Sequence, residues 1–273
     1  MDLACPWTTN ELKRLGRHIR DETPPADNHP TYAEVMVWYN DVAADVQKRI
    51  TSLNWPPLLL DRPWEVTSRA KTIDTLRDKL RRDRSTPLPS VQDFAGVRFE
   101  AEMSLDEQDA VVTAICGMFD HDEDSCVKDL RADPHSGYRA VHIWLRLPVR
   151  VEVQVRTHLQ GEWANTYEYA ADLMGREIRY NYLPDDPVER NVVKGLHDLS
   201  TQRIARIEED RNEIASLELD IEEAERRVGA TAPDGIRARI ARLKERGLKN
   251  ERRLREDLSL LQTLFQDERD GRE

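Results

Sequence analysis

Between residues 150 and 157 the chain alternates without interruption. Val151, Val153 and Val155 are apolar, and Glu152, Gln154 and Arg156 stand between them. A period of two predicts a half-buried strand with its polar residues on one face. The same pattern predicts strands in "WEVTSRAK", "FAGVRFEAE" and "YRAVHIWLRL", the last paired with 150–157 in a hairpin turned near Pro148. Helical spacing governs the intervening segments. Residues 8–21 predict a short helix capped by Thr8 or Thr9. Thr31 and Glu34 form a capping box ahead of Val35, Trp38, Val42, Val46 and Ile50, which recur at helical intervals. "NWPPLLLDRP" is a Pro-rich break. "TIDTLRDKLRRD", "SLDEQDAVVTAICGMF" with Ser104 as cap, and "HLQGEWANTYEYAADLMG" predict further helices. Interleaved strands and helices with an antiparallel pair predict an α+β fold, a mixed β-sheet flanked by helices.

From about residue 187 the pattern changes. Ile207, Ile214, Ile221 and Val228 fall at heptad spacing, with Leu217 and Ala224 between them. "GATAPDG" breaks the stripe. Ile236, Ile240 and Leu243 start a second one, which Leu254, Leu258, Leu261 and Phe265 continue, with Gly247 and Asn250 weakening its middle. These predict a C-terminal antiparallel helical hairpin, read as a structural arm or oligomerisation element rather than a catalytic part. The organisation expected is N-terminal helices over 1–60 packing on a core over 61–186, followed by the hairpin over 187–273. No internal repeat accompanies the heptads.

Composition narrows the function classes. Charged residues make up 34% of the 273 and the formal net charge is -11, which disfavours an extended DNA-coating surface. No apolar run is long enough to span a bilayer, and the first residues do not resemble a signal peptide. Three cysteines without metal-ligand spacing argue for a reducing compartment, so a cytoplasmic protein is expected. Against the acidic average, "RDKLRRDRS" over 77–85 concentrates Arg77, Lys79, Arg81, Arg82 and Arg84, which is compatible with a phosphorylated ligand.

The sequence contains no P-loop, dinucleotide fingerprint, HExxH or GxSxG. "FDHDED" reads as an acidic turn, because neighbours in one short run point in different directions. In "SRAKTIDTLRDKL", Arg69 and Lys71 share a strand face and Thr75 and Lys79 share a helix face. If the strand feeds the helix, all four converge at a helix N-terminus, a phosphate cradle without a P-loop; a solvated basic face fits the spacing equally well. In "QDFAGVRFE", Asp93 sits where a strand begins and Gly96 allows a close approach. Arg98 lies opposite Val97 and Phe99, and guanidinium planes stack on bases. Tyr138 and His142, four apart, share a face of the next strand, and tyrosine is a good platform for a purine. Glu152 with Asp93 makes two carboxylates for Mg²⁺. Each of these signals alone is equally an ordinary strand end or a wet polar face.

Their order is more specific. "RAK…T…K", "DFAGVR", "GYRAVH" and "VEVQVRT" resemble the nucleotidyl pyrophosphotransferase domain of the RelA/SpoT family, the alarmone synthetases, over roughly residues 40–180. The resemblance implies a nucleotidyltransferase-like synthetase core that uses ATP and Mg²⁺ to move the β,γ-pyrophosphate to a ribose 3′-hydroxyl. On matched positions, Arg69 and Arg98 sandwich the adenine, and Lys71, Thr75 and Lys79 hold the ATP phosphates. Asp93 binds Mg²⁺. Tyr138 stacks on the acceptor base and His142 lies near the acceptor's phosphates. Glu152 takes the metal or assists deprotonation of the 3′-hydroxyl, and Gln154 and Arg156 order the pocket. Thr75 replaces the usual serine and keeps the hydroxyl. "WANTYEYAAD" matches only the helical form of some small members. It places Gln160, Trp163 and Glu168 on a helix bordering the acceptor pocket, with Tyr167 beside them. The family's hydrolase domain and the regulatory domains of its long members have no counterpart, so a small stand-alone synthetase is expected.

Three functions follow. One is synthesis of (p)ppGpp from ATP and GDP or GTP. A second is a toxic relative that places pyrophosphate on adenine nucleotides or the 3′ end of tRNA and is neutralised by an antitoxin, with the Arg-rich 77–84 segment contacting tRNA phosphates. The third is a non-catalytic nucleotide sensor, against which the intact Asp93 and Glu152 pair argues. The hairpin leaves room for a homo-oligomer.

Overall fold

In the computed structural model, described over residues 4–24, 29–229 and 234–271, the helix starts anticipated at Thr8, Thr31 and Ser104 are all capping boxes, with Glu11, Glu34 and Glu107 returning the bond. Thr157 with Gln160 forms a fourth. The side chains of Arg69, Ala70 and Val228 lie outside the described residues. In chain order the elements are α1 (Thr9–Asp21), α2 (Tyr32–Thr51), α3 (Pro56–Leu59), β1 (Trp64–Ala70), α4 (Ile73–Arg82), β2 (Ala95–Ala101), α5 (Leu105–Met118), α6 (Glu123–Cys126), β3 (Val127–Asp129), β4 (Val141–Arg146), β5 (Arg150–Thr157), α7 (His158–Met174), α8 (Pro187–Asp198), α9 (Ala205–Val228) and α10 (Asp234–Asp270). They divide into two compact units that interleave along the sequence.

The first unit comprises Met1–Glu100, Val111–Asp129 and Val141–Val155. Its mixed sheet has the order β1-β2-β5-β4-β3. β4 and β5 form the anticipated antiparallel hairpin, with Val141 opposite Val155 and Ile143 opposite Val153. These residues, with Val97 and Phe99, are buried, while His142, Trp144, Glu152 and Gln154 alternate with them on the other face. Helix α2 packs along β1, and its Gln47 Nε2 donates to Val66 O at 2.8 Å. The Tyr39 ring lies 4.1 Å from that of Phe94, and the Trp55 ring 4.8 Å from that of Phe99. The acidic run after Phe119 ends in the short helix α6, and β3 adds an edge strand that three residues of sequence did not announce. Cys116 and Cys126 are buried free thiols with sulfurs 3.6 Å apart.

The second unit comprises Ala101–Ala110, Leu130–Ala140 and Arg156–Glu273. Its core gathers Leu159, Trp163 and Tyr167 of α7 with Val193 and Leu196 of α8, and with Ile207, Leu254 and Leu258 from the base of the hairpin. The segment from residue 187 is therefore more than a projecting arm. It begins with α8, capped by Asp186, and a π-helical turn at Leu199–Ile204 leads into α9. Helix α10 runs unbroken through Gly247 and Asn250. Away from the base Ile240 and Leu243 of α10 are buried, and ion pairs also join the two helices. Arg246 bonds Asp210 at 2.6 Å, Lys244 bonds Glu218 at 2.5 Å and Arg237 bonds Glu225 at 2.8 Å. Gly229 terminates α9 with φ of 64°; residues 230–233 of the anticipated turn lie outside the described residues.

Helix α1 packs against α4 and against the single turn Leu88–Ser90. A Cβ added at Gly16 would meet Leu88 Cβ at 2.8 Å. Gly16→Ala is therefore expected to destabilise the chain by about 1–3 kcal/mol through overpacking, read as a lower denaturant midpoint with an unchanged slope.

Candidate active site

Two lysines close on one carboxylate in the first unit. β1 ends at Ala70, Lys71 follows, and α4 opens after Thr72, its N-cap. Asp93 lies in the turn two residues before β2. Lys71 Nζ donates to Asp93 Oδ2 at 2.7 Å and Lys79 Nζ to Asp93 Oδ1 at 2.6 Å. Burial pushes the Asp93 carboxyl up, but the two ammonium groups outweigh it and bring it down to about 2. Thr75, one turn before Lys79, donates its hydroxyl to Thr72 O at 3.0 Å and lies 2.9 Å from the Thr72 hydroxyl. Lys71 and the hydroxyls of Thr72 and Thr75 thus lie at the start of α4, whereas Lys79 stands in its last turn and joins Lys71 only through Asp93.

The second part of this cluster is on β4 and β5. His142 stands opposite Gln154 across the hairpin. Its Nδ1 lies 3.2 Å from Glu152 Oε1, and Gln154 Nε2 donates to Glu152 Oε2 at 2.8 Å. Burial and the negative charge of Asp93 raise the Glu152 carboxyl; the bonds from His142 and Gln154 prevail and hold it below its ordinary value. Both acids are therefore ionised at neutral pH, and they are close enough to repel one another. Arg98 is half-buried in the middle of β2, opposite Val97 and Phe99 as anticipated. The Arg69 side chain falls outside the described residues.

The basic run 77–84 does not form one pocket. Lys79 turns to Asp93. Arg77 pairs with Asp74 and Glu22, and Arg81 with Glu22. Arg84 lines a separate cavity of about 290 Å³ with Lys13, Arg17 and Arg20 of α1.

In the second unit Tyr138 precedes β4 rather than sharing its face with His142, because the strand begins only at Val141. Tyr138 pairs with His135 in an isolated bridge. The turn before it is special: Gly137 has φ of 79°, and a Cβ there would meet Trp163 Cζ2 at 3.0 Å. Ser136 N donates to Asn181 Oδ1 at 2.8 Å. Arg156 Nη2 donates to the Tyr138 hydroxyl at 2.7 Å, with its guanidinium 5.1 Å from the ring centroid.

The residues expected on the rim of the acceptor pocket are placed differently. Trp163 is 1% exposed and donates its indole N–H to Leu196 O at 2.7 Å. Tyr167 stacks on it at 4.8 Å and donates to Ile178 O. Their helical spacing serves the core of the unit rather than a ligand. Gln160 is buried as part of the α7 cap. Glu168 is exposed and paired with Arg179. Periodicity alone does not single out Arg139 and Glu208, a buried pair at 2.6 Å. Arg139 lies within "GYRAVH", but only burial distinguishes it.

Among the described residues no group of three or more His, Cys, Asp or Glu converges as a metal site, and no helix is long and apolar enough to cross a membrane. Two ionised carboxylates are what Asp93 and Glu152 supply, and hard oxygen donors suit Mg²⁺ when a ligand's phosphates complete the shell.

Residues 68–174 match the family described as "Region found in RelA / SpoT proteins". The uncharacterized proteins Rv1366 of Mycobacterium tuberculosis and Mb1401 of Mycobacterium bovis are each 44% identical over 221 residues, covering 81% of this chain and 76% of theirs. In fold the chain is similar to the small alarmone synthetase 1 of Bacillus subtilis bound to its product pppGpp (TM-score 0.52, 22% identity, 68% of this chain and 96% of that one). It is also similar to small alarmone synthetase 2 of the same organism (TM-score 0.51, 18% identity, 68% and 98%). The chain belongs to the RelA/SpoT family and has the fold of its small synthetases. It falls, with that region, among the pyrophosphotransferases.

Asp93 gives a pH signature. Its folded value of about 2 lies below the ordinary 3.8, so the stabilisation it contributes is complete above that value and is lost as pH falls toward 2. Asp93→Asn is expected to cost about 1–2 kcal/mol at pH 7. In denaturation measured from pH 7 to 2, the gap to the parent is expected to stay level to about pH 5 and then close.

Proposed function

We propose that the chain transfers the β,γ-pyrophosphate of ATP to the ribose 3′-hydroxyl of GDP or GTP, giving ppGpp or pppGpp. The observation that carries this is the convergence of Lys71 and Lys79 on Asp93 within the unit that holds Glu152, His142 and Gln154. Two cations and two carboxylates, without a nucleophile or P-loop, suit a transfer that depends on positioning and charge neutralisation.

In this reaction the acceptor's 3′-hydroxyl gives up its proton to solvent water as its oxygen bonds to the β-phosphorus. The α,β-bridging bond breaks, and AMP departs with the bridging oxygen. Lys71 and Lys79 bind the donor's phosphates, with the Thr75 hydroxyl at the same helix start. Arg69 and Arg98 take the adenine. Asp93 and Glu152 hold Mg²⁺, which offsets the phosphate charge when bound. A carboxyl held below its ordinary value is a poor proton acceptor at neutral pH. Glu152 is therefore assigned first to the metal, with His142 and Gln154 fixing its orientation. Tyr138 stacks on the acceptor base, and Arg156 orders Tyr138.

The test incubates purified protein with Mg²⁺, γ-labelled ATP and, in separate reactions, GDP, GTP, ATP and deacylated tRNA. Label is expected in a guanosine product, and Glu152→Gln is expected to lower turnover by about a thousandfold or more. Label on adenosine or on tRNA would instead identify the toxic type of synthetase, for which an antitoxin would be sought. Absence of transfer to every acceptor would overturn both.

A further inference from the structure

The carboxylate of Glu208, on α9, is 0% exposed. It accepts from Arg139 Nη1 at 2.6 Å and from the Thr157 hydroxyl at 2.6 Å. Arg139 is itself only 6% exposed. Taking both charges out of water carries a large desolvation cost for each ion. An apolar group of matching volume commonly serves stability as well or better. Stability alone therefore does not account for this pair.

Its geometry does. Two dipeptides, Tyr138-Arg139 and Arg156-Thr157, are tied together twice. Their first residues bond each other, Arg156 Nη2 to the Tyr138 hydroxyl at 2.7 Å. Their second residues both bond Glu208. One carboxylate thus fastens the two backbone segments that carry the Tyr138–Arg156 pair. The attachment on each side has little freedom. The Thr157 hydroxyl also accepts from Gln160 N at 3.2 Å, capping α7. Gln160 Oε1 in turn accepts from Thr157 N at 3.2 Å and from Gln108 Nε2 at 3.0 Å. Arg139 Nε reaches Arg131 O at 3.5 Å. Beside Glu208, Ile207 is anchored in the core of the unit.

We infer that Glu208 is a positioning residue that holds the Tyr138 ring and Arg156 guanidinium in place to receive a purine base. This rests on the reading of Tyr138 as the acceptor platform. It gives the C-terminal hairpin a part in the reaction: the first turn of α9 fixes acceptor geometry, while the distal helices are free for other roles. Loss of the carboxylate leaves Arg139 a buried cation without its partner and releases the Thr157 hydroxyl. Both segments then gain freedom, and the ordering cost falls on acceptor binding.

The experiment compares the full-length parent with Glu208→Gln, Glu208→Asp and the double variant Glu208→Leu with Arg139→Met. The double variant removes both charges together, so it keeps the fold even where Glu208→Gln does not. Hydrogen exchange is followed in the ligand-free proteins, and acceptor and ATP KM values are measured separately. Faster exchange is expected at 136–140 and 156–160 in Glu208→Gln and in the double variant, with the rest of the chain unchanged. Acceptor KM is expected to rise about tenfold and ATP KM to change less than about threefold. Glu208→Asp is expected to recover part of the loss. The inference is overturned if exchange at those segments matches the parent in the double variant. It is equally overturned if exchange rises uniformly while acceptor KM is unaltered. Exchange needs no turnover, so a parent that transfers nothing would sink the proposed reaction while the exchange result still decides for or against Glu208.

Discussion

The clasp of Lys71 and Lys79 on Asp93 organises the first unit. It closes the junction of β1 and α4 onto the turn that leads into β2, over a sequence separation of 22 and 14 residues. Two ammonium groups held side by side repel each other unless an anion lies between them. Asp93 supplies that anion in the ligand-free chain. Under the proposed reaction, the carboxylate keeps the lysines poised for phosphates while competing with phosphates for them. A divalent cation on Asp93 would relieve this competition, which gives a physical reason for metal and nucleotide to bind together at such a site.

The second unit solves a different problem. The turn at Ser136-Gly137, just before Tyr138, has little intrinsic rigidity. Gly137 lets the backbone pass close to Trp163, and Asn181 bonds the Ser136 backbone. Arg156 then fixes the Tyr138 hydroxyl, and Glu208 fastens the residues behind both. Trp163 and Tyr167 contribute by packing this region onto α8.

Much of this was legible in the sequence where local physics dominates. The cap at Thr8, the capping box at Thr31, the alternation of β5 and the helix α9 depend on neighbours a few residues away, and they appear as expected. Periodicity placed Lys71, Lys79, Glu152 and Gln154 on faces and Asp93 at a strand start, but only the order of the motifs, through its resemblance to the RelA/SpoT family, separated them from ordinary wet positions. What was missed depends on long-range packing. The short strand β3 carries too few residues for a period. Trp163 looked like a rim residue because the bulk of α8, which buries it, lay beyond the expected core boundary at residue 186. Nothing local to Glu208 reveals its bond to Arg139, 69 residues away.

The most direct measurement is calorimetric titration of the full chain with a non-hydrolysable ATP analogue, with and without Mg²⁺, alongside Asp93→Asn. If Asp93 holds the phosphate-binding lysines until a cation relieves it, the parent binds the analogue at least about tenfold more tightly with Mg²⁺, a gain of about 1.4 kcal/mol. The variant, with its lysines already released, shows a much smaller dependence on the metal. Equal affinity in the parent with and without Mg²⁺, or an equal metal dependence in the variant, would contradict the account.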